Sequence, residues 1–437
     1  MIHKLKEVGR LKKAAFYTLG CRVNQVETEA IIEQFAGHGY EIVPSHESAD
    51  VFIINSCTVT RIADKKSRAL IRRVKRANPD AIIVLTGCFG DIARSAGEIP
   101  TEVDLVVPNR EKDHLLIRLE EHQNKIGTFV EAAVDPSLHS VRFTHRHQRT
   151  RGFIKIQDGC ENFCSYCIVP YARGPVRSKK PDDVVGEILN MITLEYKEMV
   201  LTGIHIGEYG RDLEDWNLNK LVNYILYTIT GHYRLRLGSI EPLEVNRELI
   251  DIMANEPRLC RHLHVPLQSG SNKILKLMNR QYTAEQYREN IEQAAVQISG
   301  VGLAADVMVG FPGEGEHEFM DTYRLIEESP LFDVHVFRYS SRPGTPAASF
   351  DEMVPETVKN ERAQAIIQLG KTKKAKFLQG LIGTHLKVLT EEKVSNQVRA
   401  LSDNYVNVYL NENSDLNVFH DVVIQRIHQD GLLAAFV

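Results

Sequence analysis

The sequence predicts an α/β protein in three parts: an N-terminal open parallel α/β sheet, a central partial (βα)6 barrel and a small C-terminal antiparallel β-barrel. Three observations carry this expectation. Ala14–Leu19, Asp50–Asn55 and Ala81–Thr86 are continuous apolar runs, each followed by one small residue and a cysteine. Such runs fit strands buried on both faces of a parallel sheet. From Arg151 onward, strand-like and helical runs alternate, the rhythm of βα units. The last sixty residues hold short strand-like runs and an Asp430-Gly431 hairpin signal.

The N-terminal part repeats strand, cysteine, helix. Asn24 with Glu27 predicts a capping box, and Val26, Ala30, Ile31 and Phe35 give the helix an apolar face. Ile62, Ala69, Leu70 and Val74 predict a second helix that ends before Pro79. In the middle, the six strand-like runs are Gly152–Gln157, Glu198–Leu201, Tyr233–Leu237, His262–Val265, Leu303–Val309 and Asp333–Tyr339. Helices are expected near Pro181–Glu195, Leu218–Thr230 and Ala284–Gln297. Six steps fall short of a complete eight-fold barrel. A basic helical segment, Glu356–Gln379, leads to strands at Leu386–Leu389, Gln397–Ala400, Tyr405–Leu410, Val422–Ile427 and Leu432–Phe436. A chain of 437 residues should hold two or three domains. We place them at 11–135, 146–372 and 376–437.

No run of eighteen apolar residues exists, so no membrane span is expected. The N-terminus lacks the apolar core of a signal peptide, which predicts a cytoplasmic protein whose thiols stay reduced. Seven cysteines there read as metal ligands sooner than as disulfides. The net charge of −4 announces no nucleic-acid partner, but local charge does. Arg61 to Arg76 holds eight Lys/Arg and one acid, Asp64; Arg142 to Arg151 holds four Arg, no acid, and His145 and His147. Either patch could follow a phosphate backbone. The first could equally be a solvated helix face and the second a linker. The C-terminal module carries more acids than Lys/Arg, which weakens the electrostatic case for RNA there.

Chemistry concentrates in two cysteine sets. Cys160, Cys164 and Cys167 form a C-x3-C-x2-C loop directly after a strand. Three thiolates can hold three irons of a four-iron cluster and leave the fourth iron open. A zinc knuckle would need a fourth ligand nearby, and His205, the next histidine, is too distant in sequence to be a local one. Cys21, Cys57 and Cys88 follow three strands. Ligands of open parallel sheets bind at the strands' carboxyl ends, so these three can converge despite their separation. A single buried cysteine is more often structural; three in one topological place look like a second three-thiolate set. Cys260 has no such partners and is assigned to packing. The turns after the barrel strands are polar and glycine-rich, which makes them candidates for ligand contact, although several of these glycines simply turn the chain.

The C-x3-C-x2-C loop resembles the signature of radical S-adenosylmethionine (SAM) enzymes. That resemblance implies SAM bound through its methionine end to the open iron and cleaved by one electron to a 5′-deoxyadenosyl radical. Nearly the whole chain, from about Ala14 to Val437, resembles the radical SAM methylthiotransferases. Tyr17–Gln25, Asn55–Thr60, Cys160–Cys167 and His264–Ser271 are the most specific stretches. Leu19-Gly-Cys-Arg-Val-Asn24 with Cys57-Thr-Val-Thr60 is similar to the branch acting on N6-threonylcarbamoyladenosine beside the tRNA anticodon. The family's usual Asn-Thr-Cys is Asn55-Ser-Cys57 here, which keeps the hydroxyl.

The resemblance implies two [4Fe-4S] clusters, one on Cys21, Cys57 and Cys88 and one on Cys160, Cys164 and Cys167. It implies a TRAM domain at the C-terminus, a tRNA anticodon stem-loop as partner and a reductase or flavodoxin-type electron donor. One SAM would methylate sulfur on the auxiliary cluster; a second would supply the radical that removes hydrogen from carbon 2 of the adenine. Tyr166 would lie near SAM's adenine, and Ser239 and Glu241 would meet its ribose and amine. Thr202, Gly203, Gln268, Asp306 and Arg338 are further candidates for the cofactor pocket. Related branches act on isopentenyladenosine in tRNA or on an aspartate of a ribosomal protein. A reading from another class is a zinc-stabilised RNA-binding module without catalysis.

Overall fold

The computed structural model describes residues 11–124, 138, 141–144, 150–411 and 414–437. They divide into two compact units, one of the described residues up to 144 together with 168–175, the other of residues 150–167 together with the described residues from 176 onward.

The first unit is an open five-stranded sheet. Its strands are β1 (Lys13–Thr18), β2 (Glu41–Ile42), β3 (Val51–Ser56), β4 (Ile82–Gly87) and β5 (Leu105–Val106), all parallel, in the order β2-β1-β3-β4-β5. Burial of every residue of β3 explains its unbroken apolar run. Helices α1 (Arg22–Gly37), α2 (Arg61–Ala77), α3 (Cys88–Ser95) and α4 (Leu115–Gln123) cross over, and α5 (Val169–Arg173) completes the unit.

Two sequence expectations need correction. The Asn24–Glu27 capping box does not form. Cys21 is the N-cap of α1, and the Asn24 amide instead donates to the carbonyls of Leu19 and Ser56. The buried stripe of α2 is Ser67, Leu70, Ile71 and Val74, whereas Ile62 and Ala69 face solvent. Ser67 is accepted inside because its hydroxyl donates to the Cys57 carbonyl.

The second unit opens with β6 (Arg151–Lys155) and the short antiparallel pair β7 (Gln157–Asp158) and β8 (Arg177–Ser178). Then α6 (Pro181–Thr193), β9 (Glu198–Thr202), α7 (Leu218–Thr228), β10 (Arg234–Leu237), α8 (Arg247–Asn255) and β11 (His262–His264) follow. The series ends with α9 (Asn272–Leu277), α10 (Ala284–Gln297), β12 (Gly302–Val309), α11 (Glu316–Glu328) and β13 (Asp333–Arg338). Six parallel strands run β6-β9-β10-β11-β12-β13, with bridges at Leu235–Leu259 and Ser239–His264 joining the two halves. This is the expected six-step partial barrel.

A 25-residue helix, α12 (Glu356–Gly380), leads to a closed barrel of β14 (His385–Val394), β15 (Gln397–Ser402), β16 (Asn407–Leu410), β17 (Phe419–His428) and β18 (Gly431–Phe436). The expected antiparallel barrel needs one amendment: β16 pairs with β18 in parallel, and the other four pairings are antiparallel. Tyr405 lies before β16 rather than in it. Arg234 and Arg236 share Glu198 and donate to the backbone carbonyls of Leu401, Ser402 and Asp403, so the end of β15 rests on the partial barrel. Among the described residues no helix is long and apolar enough to cross a membrane.

Candidate functional site

In the first unit, Cys21, Cys57 and Cys88 follow the carboxyl ends of β1, β3 and β4, flanking the β1/β3 switch point where such sheets bind ligands. Backbone geometry brings the sulfurs together. Gly20 has φ +101°, and a Cβ there would fall 2.7 Å from the Cys57 Cβ and 2.8 Å from its Sγ. Gly87 has φ +90°, and its Cβ would strike the Ser56 carbonyl at 2.3 Å. Only glycine fits before Cys21 and Cys88. Burial pushes the Cys57 thiol up, and the neighbouring Cys88 and Cys21 push it further.

A buried ionic network backs this site. Lys112 contacts Glu27 and donates to the Asn55 side chain at 3.1 Å. Arg173 pairs with Glu27 at 2.9 Å and donates to Asn24 Oδ1 at 2.6 Å, while Asn24 in turn lies 4.0 Å from the Cys21 sulfur. Burial raises the Cys88 thiol, and Arg173 and Lys112 oppose that rise. Arg173 and Lys112 thus stand as buried cationic groups behind Cys88 and partly offset the cost of a thiolate there.

In the second unit, Cys160, Cys164 and Cys167 lie on the loop between β7 and β8. The glutamine of β7 shapes the neighbourhood: Gln157 Oε1 accepts from the backbone N–H groups of Ile204 and His205, at 3.0 and 2.8 Å. Burial disfavours a charged His205, but its hydrogen bonds to Cys160 and Glu244 raise it to about 10, so it is cationic at neutral pH. Arg280 Nη1 donates to Cys164 Sγ at 3.3 Å and its other terminal nitrogen pairs with Glu241. A cavity of about 200 Å3 is lined by Cys164, His205, Glu241, Glu244, Arg280 and Tyr282, among others. A larger groove of about 980 Å3 between α10 and α11 holds no cysteine and is lined mainly by charged helix-surface residues, so we do not place the chemistry there.

The other sequence candidates scatter. Tyr166 packs edge-on against Phe311. Thr202 ends β9, and a Cβ on Gly203 would sit 2.8 Å from Gln157 Oε1. Ser239 bridges to His264, and the Gln268 N–H donates to the Asp306 carbonyl at 2.9 Å. The Asp306 carboxylate meets His264 and His335, and Arg338 contacts Asn360 on α12. Cys260 is buried and its thiol is pushed up to about 12 by burial, as fits packing. Reasoning on the sequence missed Arg173, Lys112, Gln157, His205 and Arg280. No local pattern marks them, because Arg173, Lys112, His205 and Arg280 approach their cysteines, and Gln157 the Ile204–His205 backbone, only through the tertiary fold.

The basic stretch on α2 is less free than its sequence suggests. Arg68, Arg72 and Lys75 pair with Glu98, Glu102 and Asp104, whereas Lys65, Lys66 and Arg73 make no ion pair among the described residues. In the second basic stretch, His145, Arg146, His147 and Arg149 lie outside the described residues, and Arg151 pairs with Glu391 at 2.9 Å.

All seven cysteines are free thiols. Donors around a single zinc lie about 3.8 Å apart for sulfur bound at 2.3 Å. Among the described residues, only His264, Asp306 and His335 bring three such donor atoms within 4.8 Å of one another. Neither cysteine set is gathered that tightly, so the donor chemistry and spacing fit a multi-iron cluster better than one ion.

Residues 13–108 match the uncharacterized protein family UPF0004, and residues 154–326 match the radical SAM superfamily. The chain is 39% identical over 413 residues to the threonylcarbamoyladenosine tRNA methylthiotransferase MtaB of Bacillus subtilis strain 168, covering 92% of this chain and 91% of the relative. The chain belongs to the radical SAM methylthiotransferase family. The MtaB of Thermotoga maritima is 34% identical, with 97% of each chain covered. A tRNA-2-methylthio-N(6)-dimethylallyladenosine synthase of Desulforamulus reducens is 32% identical, with 89% of this chain and 87% of the relative covered. The fold is shared with the radical SAM methyltransferase TsrM from Kitasatospora setae, at TM-score 0.59 and 13% identity over 78% of this chain and 77% of that one. As a radical SAM methylthiotransferase the protein is an enzyme whose cofactors are SAM and two [4Fe-4S] clusters.

Proposed function

We propose that this methylthiotransferase places a methylthio group on carbon 2 of N6-threonylcarbamoyladenosine beside a tRNA anticodon, consuming two SAM molecules. The observation that carries the reading is the pair of three-thiolate sets on one chain, backed by MtaB relatives at 34–39% identity over most of their length. Cys21, Cys57 and Cys88 would hold the auxiliary cluster, and Cys160, Cys164 and Cys167 the SAM-binding one. When bound, these groups supply the sulfur to be delivered and the electron that cleaves SAM to a radical, which the strong aromatic C–H bond requires.

The protein's own residues set the conditions. Burial raises the Cys164 thiol, and Arg280, which donates to its sulfur, opposes that rise, since a hydrogen bond to a charged sulfur favours its deprotonated form. Glu241 lines the cavity beside Cys164 and is the candidate partner for SAM's ammonium group; burial raises its carboxyl, and Arg280 and His205 oppose that rise. Ser239, Tyr166, Thr202, Gly203, Gln268 and Arg338 are candidate contacts to the rest of SAM and the substrate. The C-terminal barrel, as a TRAM domain, and Lys65, Lys66 and Arg73 would hold the tRNA. A reductase or flavodoxin would deliver electrons in the cytoplasm, where the free thiols stay reduced.

Mass analysis of tRNA nucleosides from a deletion strain tests the reading. Loss of the methylthio form with threonylcarbamoyladenosine retained is expected. If only dimethylallyladenosine derivatives changed, the substrate would be that of the relatives at 32–33% identity.

A further inference from the structure

His264, Asp306 and His335 stand on three neighbouring strands, β11, β12 and β13. Asp306 and His335 are register partners, and His264 pairs with Ala304 two residues earlier on β12. On β13, Val334 packs toward Gly370 of α12, so His335 projects from the opposite face of the sheet, as successive strand residues do. The three side chains therefore converge on the face that α12 does not cover.

Their geometry is that of a donor set. His264 Nε2 lies 2.9 Å and His335 Nδ1 3.3 Å from the same oxygen, Asp306 Oδ1. The two rings are 5.2 Å apart and inclined at 68°. Donors bound at about 2.1 Å to one ion sit roughly 3.0 Å apart in six-coordinate geometry and roughly 3.4 Å apart in four-coordinate geometry. The closer contact, at 2.9 Å, lacks the alignment of a well-formed hydrogen bond. His264 Nε2 is buried and has no hydrogen-bond partner, although the carboxylate oxygen is within 2.9 Å. With His335 Nδ1, the three donor atoms lie within 4.8 Å of one another, close enough to share one ion.

We propose that His264, Asp306 and His335 form a mononuclear site for a divalent first-row transition-metal ion. Two imidazoles and one carboxylate are borderline donors that suit Zn2+, Fe2+ or Co2+ over Mg2+ or Ca2+, and three ligands leave coordination positions open. The residue set shares nothing with either group of cysteines.

The test uses reconstituted holoenzyme with both clusters in their EPR-silent oxidised state and Co2+ as probe. One Co2+ per chain should bind, with a high-spin cobalt EPR signal and no change in iron content. Asp306→Asn and His335→Gln should each weaken that binding at least tenfold while cluster absorbance and circular dichroism stay as in the parent. His335 is half-exposed, so its replacement spares the fold. Failure of the parent enzyme to bind Co2+, or unchanged binding in the His335→Gln protein, would overturn the site and leave a hydrogen-bonded His–Asp–His cluster.

Discussion

Arg280 donates through Nη1 to the sulfur of Cys164 at 3.3 Å. The same guanidinium pairs with Glu241 and lies over the Tyr282 ring, 4.9 Å from its centroid. One buried cation thus meets the Cys164 sulfur, the Glu241 carboxylate and an aromatic wall, the first two being our proposed cluster ligand and SAM contact.

Replacing Arg280 by Met should therefore lower the reduction potential of the cluster on Cys160, Cys164 and Cys167, because hydrogen bonds to the sulfurs raise it. Potentiometric EPR should show a shift of tens of millivolts or more, with the auxiliary signal unmoved. An unshifted potential with full SAM cleavage would mean that Arg280 only fills space.

The two cysteine sets should separate cleanly in chemistry. The Cys21→Ala, Cys57→Ala, Cys88→Ala variant should lose roughly half its iron, still cleave SAM to 5′-deoxyadenosine and transfer no methylthio group. The Cys160→Ala, Cys164→Ala, Cys167→Ala variant should lose cleavage and transfer together. Full transfer by the first variant would make Cys21, Cys57 and Cys88 structural.

Arg173→Met should destabilise the first unit, by less than the ~3–5 kcal/mol of a wholly unpaired buried charge, because Lys112 still faces Glu27. Arg173 and Glu27 are both almost fully enclosed. The cluster on Cys21, Cys57 and Cys88 should then be lost faster to a chelator than in the parent. Equal rates of iron release would remove Arg173 from the support of that site.

Glu198 makes stability fall in acid. Burial would raise its carboxyl, but Arg234 and Arg236 hold it down at about 2, below its ordinary 4.5. A carboxyl depressed by folding contributes fully above the higher value and loses its contribution as pH falls toward the lower one. The contribution at neutral pH is about 3 kcal/mol. Between about pH 4.5 and 2 the melting temperature should drop more steeply for the parent than for Glu198→Gln, which forfeits this term at every pH. Parallel curves would refute the assignment.

On α2, Lys66→Glu with Arg73→Glu should weaken tRNA binding and reduce its salt dependence, because fewer counterions are released. These two cations, unlike Arg72, make no ion pair among the described residues. Unchanged affinity at low salt would make the helix face a solvated one.

Much of this architecture was legible in the chain itself. The apolar runs before Cys21, Cys57 and Cys88 specify parallel strands because burial on both faces demands continuous hydrophobicity, and Gly20 and Gly87 mark the turns that follow. The three cysteines of the second set are local, so their spacing alone marks them as a candidate ligand set. What remained hidden depends on contacts between distant residues. Asn24 and Glu27 read locally as a helix cap, yet packing turns them toward Ser56, Lys112 and Arg173. Ile62 matches the helical period as an apolar residue but lies at the open start of α2, beyond the sheet that buries Leu70 and Ile71. His264, Asp306 and His335 are 42 and 29 residues apart in the chain and become neighbours only because parallel register sets Asp306 opposite His335. Strand identity follows from residue type and period, which the sequence states. Which side chains meet across strands follows from register and crossover, which only the folded chain decides.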